Sequence, residues 1–379
     1  MQIKSIEAIP LRYTLQEPFA YSQKWFQQRT ALLVRVDTDE GLSGWGEVYC
    51  HDAWPALKAL IEQVYAPLLV GREALARSVI WELVYNWTRD YGQKGLTTSA
   101  LSGIDIALWD LYGKTVGLPI AALLGGLVGA PVPAYATGLY LTHAVEGDPG
   151  LLAEEAADYV ARGFRAVKLK VGQGLERDLR HVRVVREAIG PEIGLMVDAN
   201  HALDAAGAIR LGRALAPYDI GWLEEPVAPE DRAGYRAVRE ALDIPIAGGE
   251  AEFTRYGFRD LIDSRGVDII QPDLCVCGGI TEGLKIAALA GAWNVRCIPH
   301  VWGTGITLAA SLHFISALPQ QPPSLNAPPN WLEYDRTENP LRDEMLPLAL
   351  KDGALRTPTG PGLGVTPDPD WLEHYRCDV

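Results

Sequence analysis

Seven apolar segments of this chain each end in a polar residue able to do chemistry, and the endings recur at a near-constant interval. They are Lys170, Asp198, Glu224, Glu250, Asp273 and His300, with Glu333 as a looser seventh, and the gaps are 28, 26, 26, 23, 27 and 33 residues. A strand, a loop and a covering helix take roughly 25 residues, so the interval predicts successive β/α units. In a closed β/α barrel the carboxyl ends of all strands open on one mouth. Residues far apart in sequence then meet there, in the order base, acid, acid, acid, acid, base.

The predicted barrel strands are Val132–Thr137, Ala166–Val171, Gly194–Asp198, Gly221–Glu224, Ile244–Gly248, Val267–Gln271, Val295–Pro299 and Trp331–Glu333. Amphipathic stretches such as Leu151–Arg162, Glu176–Ile189 and Asp204–Leu215 fit an outer helical ring. Ahead of them, residues 1–130 form an α+β unit. Strands are expected at Met1–Tyr13, Thr30–Asp37 and Gly44–Tyr49, with an aromatic and polar loop at Pro18–Gln28. Residues 54–122 are expected to be helical, broken at Gly117–Pro119. The barrel then spans residues 131–335. Residues 336–379, rich in Pro, Gly and Asp, are expected to wrap back onto the first unit.

A length of 379 residues accommodates a barrel with an added domain, and a net charge of −14 argues against nucleic acid and anionic membranes as partners. It does not argue against a small anionic substrate, because a metal or lysine reverses the field inside a pocket. Five scattered cysteines without paired zinc spacing, and no signal-peptide pattern, predict a soluble cytoplasmic protein.

Asp198, Glu224 and Glu250 end neighbouring strands. Three converging carboxylates repel one another unless a cation lies between them, and an all-oxygen set favours a hard ion such as Mg²⁺. Glu225 stands beside Glu224; strand alternation sends the two apart, and sequence does not choose between them. Lys168 and Lys170 share one strand face, where crowding by each other and by a metal lowers a lysine pKa into the range of a usable base. Asp273 and His300 end the next strands, and an Asp bonded to a His fixes its tautomer and raises its basicity. A metal, a lysine and a His–Asp pair together suit removal of the weakly acidic proton α to a carboxylate, with the cation stabilising the enediolate.

The motifs Lys168-Leu-Lys170, Val197-Asp198-Ala-Asn200, Glu224-Glu225-Pro226, Gly248-Gly249-Glu250, Gln271-Pro272-Asp273 and Pro299-His300 together resemble the mandelate racemase subgroup of the enolase superfamily. The resemblance spans nearly the whole chain. It implies α/β architecture: a modified TIM barrel, (β/α)7β, with an N-terminal α+β capping domain completed by the C-terminal tail. It also implies that Asp198, Glu224 and Glu250 bind one Mg²⁺ per subunit. Lys170 is then the base on the second barrel strand, Lys168 steadies the substrate carboxylate, and His300 with Asp273 is the opposing acid/base. Glu333 would hydrogen-bond the carboxylate or enolate, and Asn200 would touch substrate.

In this family substrate choice rests on the capping-domain loops, here Pro18–Gln28 and Tyr49–Trp54. Tyr21, Lys24, Trp25 and His51 are the expected lining residues, Lys24 or Arg29 a partner for a distal carboxylate, and Trp302 a packing residue over the site. Arg89–Gly95, Ala100–Asp110, Gln271–Gly279, His300–Gly305 and Glu333–Arg336 are similar to the lactone cycloisomerases of acid sugars. The resemblance implies β-elimination of a lactone ring oxygen to a 2-keto-3-deoxy acid. Acid-sugar dehydratase follows as the alternative and racemase or epimerase after it. A small anionic acid sugar or lactone is the implied partner, together with a symmetric homo-oligomer, often an octamer.

Overall fold

The computed structural model describes residues 1–378. Its N-terminal part begins with β1 (Ile3–Ala20), β2 (Trp25–Thr38) and β3 (Ser43–Val48), an antiparallel meander. β1 and β2 run much further than the sequence pattern predicts. Only Tyr21–Lys24 is left as a turn where Pro18–Gln28 was expected to be a loop. The cause is a cross-strand aromatic pair: Phe19 is in register with Phe26, and their rings stack at 5.3 Å. A register shift between Thr14 and Phe19 bends this hairpin tip. The tip docks on the barrel through Ser22 Oγ to Ala199 O (2.9 Å) and Gln23 Nε2 to Asn200 O (2.5 Å).

The expected helical stretch is divided into Trp54–Leu60, a π-turn at Ile61–Tyr65, Ala66–Leu69, Arg77–Thr88, Leu96–Val116 and Ile120–Leu123. The Leu96–Val116 helix ends on Gly117 in the left-handed conformation, as the Gly-Leu-Pro signal predicts. It packs tightly on β3. A Cβ at Gly46 would sit 1.9 Å from the carbonyl oxygen of Gly103.

The second part is a parallel sheet wrapped as a barrel. Its strands are β4 (Pro131–Thr137), β6 (Ala166–Lys170), β7 (Gly194–Asp198), β8 (Ile220–Glu224), β9 (Ile246–Gly248), β10 (Ile269–Ile270), β11 (Arg296–Cys297) and β12 (Leu332–Asp335). The two-residue β5 (Leu141–Thr142) pairs instead with β1. The sheet order is β11-β10-β9-β8-β7-β6-β4-β12, and among the described residues β11 and β12 do not pair. β10 and β11 are shorter than predicted because the chain leaves the ladder early to form the loops of the mouth. The intervening helices start on side-chain caps at Asp204, Asp231 and Thr304. No helix among the described residues is long and apolar enough to cross a membrane.

The barrel interior explains the polar strand ends. Tyr135, Ala166, Met196, Trp222, Ala247, Ile269 and Ile298 form one buried apolar layer across successive strands. Side chains alternate along a strand, so the residue two further on faces the same interior. Two further on from these stand Thr137, Lys168, Asp198, Glu224, Gln271 and His300, and Asp273 lies two beyond Gln271. Glu250 is out of step by one. Gly249 restores it: its φ of +127° is open only to glycine, and a Cβ there would press on Phe258 at 2.8 Å.

The tail returns first along the barrel strand β4 and then across the N-terminal part. β13 (Ala354–Arg356) pairs with β4, Arg376 bridges Leu11, and Asp378 pairs with Lys58 at 3.1 Å.

Candidate active site

One carboxylate oxygen from each of Asp198, Glu224 and Glu250 lies within 4.8 Å of the other two. Asp198 and Glu224 are fully buried and Glu250 is partly exposed at the mouth. The alternation of β8 resolves the choice between neighbours. Glu224 follows Trp222 on the inner face, whereas Glu225 follows in a left-handed conformation, φ +43°, and turns to His201 at 3.1 Å. Glu224 is oriented by Trp222 Nε1 (2.8 Å) and Gln271 Nε2 (2.7 Å), and Asp198 by the backbone N–H of Asn200 (2.9 Å).

The donor set fits a hard divalent cation. Burial, with the charges of Asp198, Glu333 and Glu250 added, pushes the Glu224 carboxyl up to about 7 despite the pull of Lys168. A cation among these acids removes that penalty. Three carboxylates with no histidine or thiolate match Mg²⁺ chemistry.

Lys168 is fully buried, 2.5 Å from Glu224 and 2.8 Å from Glu333. Lys170 is 2.5 Å from Asp198. The predicted lowering of the lysine pKa values is not found. Burial does work against their charge, but the surrounding acids outweigh it, and both lysines are raised. Neutralising those acids with a cation acts in the direction the sequence argument required.

His300 Nδ1 is 2.7 Å from the buried Asp273, whose other oxygen accepts from Cys275 N at 2.6 Å. Its Nε2 faces Glu250 at 3.6 Å. Burial opposes a charge on His300, yet Glu250 and Asp273 hold its pKa up at about 10. Glu333 is held by Thr137 Oγ1 (2.6 Å) and Val301 N (3.1 Å) as well as by Lys168.

Lys170, Asn200, Glu250, His300 and Glu333 line one cavity, roofed by Tyr21, Phe26, Tyr49, His51, Tyr140 and Trp302. The space these side chains leave is about 30 Å³. Lys24 and Trp25 do not reach the cavity: Lys24 pairs with Asp52 at 3.1 Å, and Trp25 stacks on His143 at 4.3 Å. Arg29 also stays out, bonded to Asp335 at 2.7 Å, with its guanidinium 4.3 Å from the Trp302 ring centre. Phe26 and Tyr49 lie within the two capping segments expected to set substrate choice, although neither was singled out there as a lining residue; Tyr140, just beyond the strand expected at Val132–Thr137, carried no signal.

This barrel mouth, with its acidic triad between basic side chains, defines an enzyme that uses a divalent metal. Residues 5–125 match the family described as mandelate racemase / muconate lactonizing enzyme, N-terminal domain, and residues 151–371 match enolase C-terminal domain-like. The chain belongs to the mandelate racemase / muconate lactonizing enzyme group of the enolase superfamily. It is 44% identical to the D-galactarolactone cycloisomerase of Agrobacterium fabrum over 99% of both chains. It is 34% identical to the arabinonate dehydratase of Saccharolobus solfataricus, over 91% of this chain and 90% of that one. Among solved structures, the 3,6-anhydro-D-galactonate cycloisomerase of Zobellia galactanivorans superposes with a TM-score of 0.89 at 42% identity, covering 100% of both.

Proposed function

We propose that the protein is a cycloisomerase of acid-sugar lactones, working on a substrate of the D-galactarolactone type with one Mg²⁺ per subunit. The observation that carries this reading is that Lys170 and His300 open onto one cavity with Glu250 of the acidic triad. The full-length similarity to a D-galactarolactone cycloisomerase supports the substrate class.

Asp198, Glu224 and Glu250 would hold a Mg²⁺, which when bound would supply positive charge against the negative charge that proton loss puts on the substrate carboxylate. Lys168, paired with Glu224 and Glu333 beneath the cavity, steadies the substrate carboxylate in this reading. Lys170 or His300 takes the α-proton, according to the configuration of the α-carbon. Asp273 holds the His300 ring so that Nε2 points into the cavity. The electron pair then returns and breaks the ring C–O bond at the β-carbon. The departing oxygen leaves as part of a carboxylate, and the enol takes a proton at the β-carbon to give a 2-keto-3-deoxy acid. No water is consumed, so the reaction is an isomerisation.

A dehydratase is the second reading, favoured by the arabinonate dehydratase similarity. The same bases serve both reactions, which differ in leaving group. Incubation with Mg²⁺ and either galactaro-1,4-lactone or open-chain acid sugars separates them, read by formation of 2-keto-3-deoxy product. Lactone turnover is expected. Turnover of open acids alone would select the dehydratase, and α-proton exchange in heavy water without elimination would select a racemase or epimerase.

A further inference from the structure

The roof of the cavity carries no free cation among its described lining residues. Its side chains are Tyr21, Phe26, Tyr49, His51, Tyr140 and Trp302. Below the roof, each basic group is already matched: Lys168 by Glu224 and Glu333, Lys170 by Asp198, His300 by Asp273. The two cations of the β1–β2 hairpin that approach the roof are paired outside it. Phe26 and His51 form a wall shared with an outer cleft, and Lys24 lies in that cleft against Asp52. Arg29 is buried against Asp335, and drawing it inward would strand that buried acid.

We propose that this site takes substrates with one carboxylate and an uncharged distal end, and rejects open-chain dicarboxylates. This rests on the acid-sugar reading above and narrows its substrate class. The metal and Lys168 receive one carboxylate. A second one, under this roof, would be desolvated among neutral hydroxyl, imidazole, amide and aromatic groups with no cation to pair it, which is strongly unfavourable.

What the roof does offer suits a neutral ring. Tyr49 and His51 hydrogen-bond at 2.5 Å, and burial, with Lys24 nearby, pushes His51 down to about 4, so the pair is uncharged at neutral pH. The Tyr140 hydroxyl is buried without a partner and is a spare hydrogen-bond donor. Donors of this kind can receive partial charge on a departing ring oxygen without holding a separate ion. Opening a lactone creates the second carboxylate only in the product, which this roof would then release.

Three probes separate charge from shape: galactaro-1,4-lactone, a ring monoanion; galactonate, an open monoanion; and galactarate, an open dianion. Binding is measured by calorimetry on the Mg²⁺-loaded protein, with kcat/KM alongside. Galactarate is expected to bind at least tenfold more weakly than both monoanions. Binding within tenfold of either would overturn the inference. If galactonate is turned over and the lactone is not, the cycloisomerase reading falls while charge selection stands.

A His51→Lys variant places a cation in the shared wall and is expected to narrow the lactone-to-galactarate preference at least tenfold. An unchanged preference in a folded variant would count against the proposal, and the unmodified protein gives the answer if the variant does not fold.

Discussion

Lys170 and His300 reach the same cavity from different strands, and each is backed by a buried acid, Asp198 or Asp273. If they are the two bases, their loss should act on the chemical step. Lys170→Met keeps the length of the side chain, and His300→Asn keeps an amide nitrogen near Asp273. Each is expected to lower kcat about 10²–10⁴-fold, the usual range for a positioned acid or base, with a smaller change in KM. Exchange of the substrate α-proton in heavy water tells the two apart. The variant that lacks the abstracting base loses exchange, whereas the variant that lacks the partner keeps it. Near wild-type kcat in both variants would remove these residues from the mechanism.

At the level of elements, the site depends on how the capping sheet grips the barrel. Glu47 on β3 is buried and accepts from Thr304 N (2.9 Å), Thr304 Oγ1 (2.7 Å), Thr307 N (3.0 Å) and Thr307 Oγ1 (2.5 Å). These donors sit at the start of the Gly305–Ile315 helix, just after His300 and Trp302. Burial raises the Glu47 pKa, and the hydrogen bonds from Thr304 and Thr307 and the helix dipole only partly offset it. Glu47→Ala leaves the donors unpaired and is expected to destabilise by roughly 3–5 kcal/mol. Glu47→Gln keeps an acceptor and should lose much less; urea unfolding of the two variants checks the order. Equal losses would mean that packing, not the carboxylate, holds this joint. None of this was legible in the sequence, where Glu47 reads as a polar position in an alternating strand. The barrel was legible because each strand runs apolar until its inward face reaches the mouth, where a charged residue interrupts it. Asp105 and Asp110 fall between these cases. They lie in the stretch where the sequence predicts helix, and they are buried struts: Asp105 accepts from Thr281 N, and Asp110 accepts from Trp45 N and Leu363 N. The hairpin tip stayed hidden because the pairing of Phe19 with Phe26 depends on register, and a single strand pattern does not state its partner.

Across the whole molecule, His313 joins three segments that are distant in sequence. It stands on the Gly305–Ile315 helix, fully buried, with Nδ1 accepting from Ala121 N and Nε2 donating to Leu363 O, both at 3.1 Å. The bond from Ala121 requires the neutral ring, since a proton on Nδ1 would face the Ala121 N–H; the Nε2 bond survives protonation. Burial pushes its pKa down to about 4, and the Leu363 carbonyl only partly opposes this. An unfolded histidine titrates near 6.5. Above that pH neither state carries the proton, and the group adds no pH dependence. As the pH falls from about 6.5 to 4, the unfolded chain takes up a proton that the folded chain refuses, so stability drops. The full loss is on the order of 3 kcal/mol. His181, also pushed down to about 4 by burial, acts in the same direction. Other groups titrate over this range too, so the decisive quantity is a difference between proteins. Urea midpoints at pH 7.5, 6 and 5 should fall less steeply for His313→Gln than for wild type, even though the variant starts lower at pH 7.5. Parallel curves would mean that His313 takes up its proton as readily folded as unfolded, and that the junction of helix, Ala121 segment and tail tolerates a charge.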